Sequence, residues 1–297
     1  MENIIQFFLS YVKAEGLSQR TIRDYHYHLK AFSSLVDTEK GNYREATFSY
    51  LSAAANPNTY NLRFNYLKKF FTWCISESLI NCEKHPLTGL KKRKATNRIV
   101  HVENNDIERL LDLPDKKTYT GLRNYTLILF SIDTGIRPGE SLRLTQEDFN
   151  FASLLINVPA PIAKSRKSRL VPISVQTAMA VKKLLSVHHS DWSEDTPVFA
   201  SQDGSFMAVN TWSHILQSYS KKLLVKITPY YLRHVFALSM LRAGCDVFTL
   251  RDMMGHSDIS MTSKYLAITV DDMKLQHRQC SLVNVVLPIK KRVRKIV

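Results

Sequence analysis

The sequence predicts a mainly α protein of two domains with one small β-sheet, and three observations carry that expectation. Apolar residues recur at helical spacing behind cap-type residues through most of the chain, as with Ile4, Phe7, Phe8, Tyr11 and Val12. Two short runs, 154–158 and 168–173, read as the strands of a hairpin, and Pro159 and Pro161 limit them to an edge or a small sheet. The helical pattern breaks at His85-Pro86 and gives way to Lys91-Lys92-Arg93-Lys94, a basic segment of the kind that joins two folded parts. A length of 297 residues agrees with two domains.

The first ninety residues read as a helical bundle. Helices are expected over 3–14, from a Ser18 cap to about residue 36, over 43–54, and from Asn56-Pro57 to about residue 79. In the last of these, Asn61, Arg63, Asn65, Lys68 and Lys69 are placed to face outward from the apolar stripe. Basic and amide side chains on a helix suit phosphate contacts and groove entry, although an ordinary solvated face would look the same. The domain boundary falls within 88–101. It gives an N-terminal helical domain over 1–90, a basic linker over 91–101, a second domain over 102–280 and a tail over 281–297. The run Lys91, Lys92, Arg93 and Lys94 suits a phosphate backbone, with a nuclear-localisation tract as the other reading. In the second domain helices are expected over 103–111, 123–134, 175–186 and 209–222. The hairpin turn, AKSRKS, is strongly basic through Lys164, Arg166, Lys167 and Arg169. His188-His189 has no companion ligands and reads as surface loop.

Composition narrows the partners. The formal charge is +15 and the pI near 9.6, which points to a polyanion. The longest apolar runs are too short to span a bilayer, and the start Met1-Glu2-Asn3 lacks the basic opening of a signal peptide, so a cytoplasmic protein is expected. Cys74, Cys82, Cys245 and Cys280 lack CxxC spacing and indicate neither zinc nor a disulfide framework. With no Walker A pattern and no evident carboxylate cluster, no metal and no cofactor is expected.

The most informative stretch runs from 227 to 266. Thr228-Pro229 is a cap followed by proline at the first helical position. The helix behind it carries Leu232, Val235, Phe236, Leu238, Met240 and Leu241, which is apolar enough to be buried. Arg233 and His234 nevertheless lie in its first turns, and a buried arginine requires an anion, which a helix N-terminus also favours. Gly244 ends this helix. A second, over 247–254, ends at Gly255 with His256 beyond it, and Ser257 or Asp258 caps a third that carries Tyr265. Arginine, histidine and tyrosine on three helices around an anion site suggest phosphoryl chemistry.

LRHVFA, then MMGHSD, then a tyrosine nine residues after the histidine resembles the catalytic box of the tyrosine recombinases, the phage-integrase and Xer-type enzymes. TGIRPGE around Arg137 is similar to the family's first arginine motif, and AKSRKSRLVPI to the hairpin that carries its catalytic lysine. The resemblance covers the whole chain. It implies a helical DNA-binding domain joined to a catalytic domain as a C-shaped clamp on duplex DNA. It further implies a recombination site with inverted half-sites, a homotetramer of two dimers in synapsis, and accessory DNA-bending proteins. A bacterial or mobile-element recombinase of the two-domain type, nucleoid-associated, is the expected setting, with phage, transposon and chromosome all open as its origin.

The same resemblance assigns roles. Tyr265 becomes joined to the 3′ phosphate, and Arg137 and Arg233 clamp the non-bridging oxygens. Lys164, with Lys167 as rival, protonates the departing 5′ oxygen, and His256 donates a hydrogen bond to the phosphate. Glu140 buttresses Arg137 by a bidentate pair. One position departs: where the family has a histidine three residues before the second arginine, this chain has Tyr230, a phenol that can donate a hydrogen bond but is a poor base near neutral pH. His234, about 100° round the helix from Arg233, reads as a structural histidine. A DNA-binding regulator with little or no cleavage, and a type IB topoisomerase, are the alternative functions.

Overall fold

In the computed structural model the described residues are 1–37, 41–82, 84–94, 104–263, 274, 277–278 and 282–286. The chain divides into two compact units, Met1–Asn97 and Arg98–Val297.

The first unit is built on four helices, α1 (Glu2–Ala14), α2 (Gln19–Ser33), α3 (Tyr43–Ser52) and α4 (Pro57–Ser76). Their starts are set locally. The Ser18 hydroxyl accepts from the Thr21 N–H at 3.2 Å, and the Asn56 side chain from the Thr59 N–H at 2.9 Å, each satisfying a donor that a helix start leaves open. The core is aromatic. Phe8 meets Phe70 edge-on at 5.3 Å between centroids, and Phe32 meets Phe71 likewise at 5.5 Å. Cys74 is fully buried in this core, and burial pushes its thiol up to about 12, so it behaves as a small apolar side chain.

The second unit contains α5 (Asn104–Asp112), α6 (Tyr119–Thr134), α7 (Pro138–Ser141), a 3-10 turn (Gln146–Asp148), β1 (Phe149–Asn150), β2 (Leu155–Val158), β3 (Arg169–Pro172), α8 (Val175–Leu185), α9 (Val209–Leu223), α10 (Pro229–Arg242), α11 (Val247–Met254) and α12 (Ile259–Ser263). The central helix is α6, buried on most sides and packed against α8 and α10. It starts a turn earlier than the sequence suggests, because Thr118 caps it through the Gly121 N–H at 3.1 Å. The sheet is antiparallel in the order β1-β2-β3, with Ile156 opposite Val171 and Val158 opposite Arg169. Ile156, Val158 and Val171 enter the core, while Leu170 faces outward. β1, two residues long, is too short to leave an alternation in the sequence.

His188 is not a loose surface residue. Its ring packs on Trp192 at 4.8 Å and its Nε2 lies 3.2 Å from the Val198 carbonyl, because the loop folds back on α6 through Tyr119. Among the described residues no helix is long and apolar enough to cross a membrane.

Candidate active site

The site forms where α6, α7, β3, α10 and α11 meet. Gly135 ends α6 in the left-handed region (φ 60°), where a Cβ would strike the Phe236 ring at 2.1 Å, so the turn requires glycine. That turn delivers Arg137 to the start of α7. On α10, Thr228 accepts from the Tyr231 N–H at 3.1 Å, and Arg233 follows in the second turn, 3% exposed among Leu232, Val235 and Phe236.

The last carbonyls of α11 hold three arginines in sequence. Arg169 Nε donates to the Met253 carbonyl (3.1 Å), Arg233 Nη2 to the Met254 carbonyl (2.8 Å) and Arg137 Nη2 to the Gly255 carbonyl (2.7 Å). A helix C-terminus leaves such carbonyls open and carries partial negative charge, so it stabilises cations there. Arg233 Nη1 also donates to the Gly135 carbonyl, which joins the ends of α6 and α11. Carbonyl dipoles carry no formal charge, so they orient these guanidiniums without neutralising them.

Glu140, 2% exposed, supplies the negative charge. Its Oε2 accepts from Arg169 Nη2 at 2.6 Å, and its Oε1 from Arg137 Nη1 at 3.2 Å and the Lys164 N–H at 2.9 Å. The carboxylate is therefore shared between two arginines and the hairpin, in place of the bidentate pair with Arg137 alone. Burial pushes its pKa up, but the Arg169 hydrogen bond and charge, the Lys164 N–H and the Arg137 charge outweigh burial and hold it below the ordinary range.

His256 follows Gly255, its N–H returning to the Arg251 carbonyl at 3.0 Å. Its Nε2 lies 2.8 Å from Arg233 Nη2 and its Nδ1 2.8 Å from the Thr262 hydroxyl on α12. Gly255 has φ 64°, and a Cβ there would lie 2.8 Å from the Arg169 guanidinium. Gly255→Ala is expected to lose about 1–2 kcal/mol of stability and roughly tenfold to a hundredfold in strand cleavage through displaced side chains. Urea unfolding beside single-turnover cleavage checks both.

The structure thus brings Arg137, Arg233 and His256 together. Lys164 is tied in by its backbone while its side chain is exposed, as are Arg166 and Lys167 in the same turn. Tyr230 stands 53% exposed one turn before Arg233. His234 is half-buried, and burial followed by the Arg233 charge lowers its pKa. Tyr265 lies outside the described residues. Among the described residues no cluster could hold a metal ion. In the first unit Lys68 and Lys91, Lys92, Arg93 and Lys94 are exposed, and Lys69 pairs with Glu15. Arg63 does not face outward as its spacing suggests: its guanidinium lies over the Tyr50 ring at 4.5 Å and donates to the Tyr50 carbonyl, fastening α4 to α3. Asn61 is also occupied, exchanging two 2.8 Å hydrogen bonds with the Arg93 backbone while the Arg93 guanidinium covers Tyr60 at 4.0 Å. The start of the expected linker therefore lies along α4.

Arg169 and Thr262 were not singled out by spacing. Strand alternation does carry a signal for Arg169, since it shares a face with the buried Val171.

Buried arginines, an imidazole and a shared carboxylate on a mainly α scaffold define a site for stabilising the charge of a phosphoryl group. The comparisons with known proteins name the family. Residues 101–272 match the phage integrase family model, and the chain belongs to that family; it is a tyrosine recombinase. It is 25% identical over 273 residues to tyrosine recombinase XerC of Thermodesulfovibrio yellowstonii, covering 87% of this chain and 89% of that one. It is 27% identical over 278 residues to XerA of Pyrococcus furiosus, covering 91% of each. Among solved structures, the Tn1549 transposon integrase in complex with a circular intermediate DNA superposes with a TM-score of 0.72 at 18% identity, over 93% of this chain and 99% of that chain. A lambda integrase dimer bound to a COC′ core site gives 0.71 at 14% identity, over 88% and 96%.

Proposed function

We propose that the chain carries out site-specific DNA strand exchange through a 3′-phosphotyrosine and a Holliday junction. The observation that carries this reading is the set of arginines held on the C-terminal turn of α11 beside His256. Tyr265 attacks phosphorus, Arg137 and Arg233 stabilise the charge growing on the non-bridging oxygens, and Lys164 on its exposed turn protonates the leaving 5′ oxygen. The covalent link conserves the phosphodiester, so a 5′ hydroxyl from the partner strand reverses the step without ATP.

The exposed Lys68, the run Lys91 to Lys94, Arg166 and Lys167 contact the phosphates of duplex DNA. Four copies act on inverted half-sites, with accessory DNA-bending proteins as further partners in the bacterial cytoplasm. The tail docks on a neighbouring copy; most of it lies outside the described residues. Its helical turn Leu282–Val286 presents Leu282, Val283 and Val286 to solvent, which supports that docking.

The test uses a duplex selected for binding from a random-sequence pool, placed in one or two copies on a supercoiled plasmid. Recombinant products from two copies only are expected. Relaxation of the one-copy plasmid without recombinants would indicate a topoisomerase, and binding without strand cleavage a regulator.

Tyr230 acts as a hydrogen-bond donor to the scissile phosphate. Its exposure beside the arginine cluster supports this over a space-filling role. A hydrogen bond to a charged group contributes roughly 1.5–3 kcal/mol, so Tyr230→Phe should slow single-turnover cleavage by about one to two orders of magnitude. DNA affinity should be unchanged. Tyr230→His should retain activity; a Tyr230→Phe rate equal to wild type would remove the role.

A further inference from the structure

Both ends of the basic turn between β2 and β3 close on one carboxylate. At its entry Ala163 is buried and returns its N–H to the Pro159 carbonyl at 3.0 Å. The next N–H, that of Lys164, donates to Glu140 Oε1 at 2.9 Å. At its exit Arg169 opens β3 opposite Val158, and its Nη2 donates to Glu140 Oε2 at 2.6 Å. The Arg169 guanidinium also reaches beyond the hairpin. Its Nε donates to the Met253 carbonyl, which directly precedes the carbonyls of Met254 and Gly255 that hold Arg233 and Arg137. A planar guanidinium fixes two partners in two directions at once, which a lysine ammonium does not.

We infer that Arg169 is a positioning residue: through Glu140 and the end of α11 it sets the backbone of Lys164 in register with Arg137 and Arg233. This rests on the recombinase reading above, in which Lys164 gives its proton to the departing 5′ oxygen. The Lys164 side chain is exposed, so its reach is set by where its backbone is held. The rival, Lys167, lacks that anchor: its carbonyl is met by the Ser165 hydroxyl at 3.4 Å, within the turn itself. A general acid works only within hydrogen-bond reach of the oxygen it protonates, and a misplacement of about 1 Å costs about a hundredfold in rate.

Arg169 does not itself meet the substrate. Its side chain is 10% exposed, and its remaining nitrogen, Nη1, is enclosed and has no hydrogen-bond partner among the described residues. That nitrogen lies 2.9 Å from where a Cβ on Gly255 would stand, so the end of α11 covers it. The two nitrogens that do make bonds are committed to Glu140 and Met253. The residue therefore acts through the groups it holds.

The test replaces the bridging 5′ oxygen at the cleavage position with sulfur. When the phosphorus–sulfur bond breaks, sulfur leaves as a thiolate and needs no proton. The sulfur form therefore bypasses a displaced general acid but does nothing for displaced arginines. Single-turnover cleavage of both forms of a duplex selected for binding is followed for wild type, Lys164→Ala and Arg169→Lys, with urea unfolding as a check on folding. Arg169→Lys should cleave the oxygen form roughly tenfold to a hundredfold more slowly than wild type and bind the duplex with unchanged affinity. It should recover most of that loss on the sulfur form, as Lys164→Ala does. A loss of equal size on both forms, a wild-type rate on the oxygen form, or no recovery of Lys164→Ala on sulfur each overturns the inference. If Arg169→Lys does not fold, amide exchange of the wild-type chain decides. The Lys164 N–H should exchange slowly, and exchange as fast as that of the exposed Lys167 overturns the inference. Wild-type protein that cleaves neither form would fail the recombinase reading instead.

Discussion

Glu140→Ala is expected to destabilise the second unit by about 3–5 kcal/mol, the usual consequence of removing one member of a buried ion pair. It is also expected to abolish strand cleavage. The carboxylate is 2% exposed and holds Arg137, Arg169 and the Lys164 N–H together. Without it, two buried guanidiniums repel each other and the hairpin loses its tie to α7. Glu140→Gln keeps the shape and one acceptor oxygen, so it should fold better than alanine but remain poorly active. The pH dependence has a defined sign. A carboxyl whose folded pKa lies below its unfolded value stabilises the fold above the unfolded pKa, and that stabilisation disappears as pH falls through the folded pKa. The stability gap between wild type and Glu140→Gln, measured by urea unfolding, should therefore be full at neutral pH and shrink on acidification below the ordinary carboxylate range. A gap independent of pH would show that the carboxylate charge does not hold the site.

The legible parts of this protein are those fixed by neighbours in sequence. Ser18, Asn56 and Thr228 cap their helices through N–H groups three residues on, and Gly135 and Gly255 end theirs in the left-handed region, so local chemistry places those boundaries. Arg233 was conspicuous because charge in an apolar surround demands a partner, and Arg137 because TGIRPGE resembles the family's first arginine motif. The partners themselves were not legible. Arg169 reaches Met253 across 84 residues and Glu140 across 29, and no local pattern encodes such contacts. Arg63 was misread for a related reason: its spacing on α4 is that of an outward residue, but the face of α3 beside it offers the Tyr50 ring and carbonyl. A cationic side chain with a long apolar stem can lie along such a surface without losing its hydration entirely. The packed His188 was missed because an aromatic neighbour from another element, Tyr119, decides its burial.

The carbonyl-held arginines also bear on function. Carbonyl dipoles position Arg233, and carbonyl and carboxylate together position Arg137, so the site's geometry is set before any substrate arrives. Such preorganisation avoids reorganising the site as charge develops.

The central claim is a covalent phosphotyrosine at Tyr265, and one measurement addresses it. A duplex selected for binding is nicked close to the cleavage position, so that the short fragment diffuses away and the adduct accumulates. Wild-type protein should give a covalent complex on a denaturing gel, with the 3′ end of the DNA attached and a free 5′ hydroxyl released. Peptide mapping should place the attachment on Tyr265. Tyr265→Phe removes only the hydroxyl, so it should bind the duplex with unchanged affinity and form no adduct. An adduct of undiminished yield in Tyr265→Phe, or one attached through a 5′ phosphate, would contradict the account.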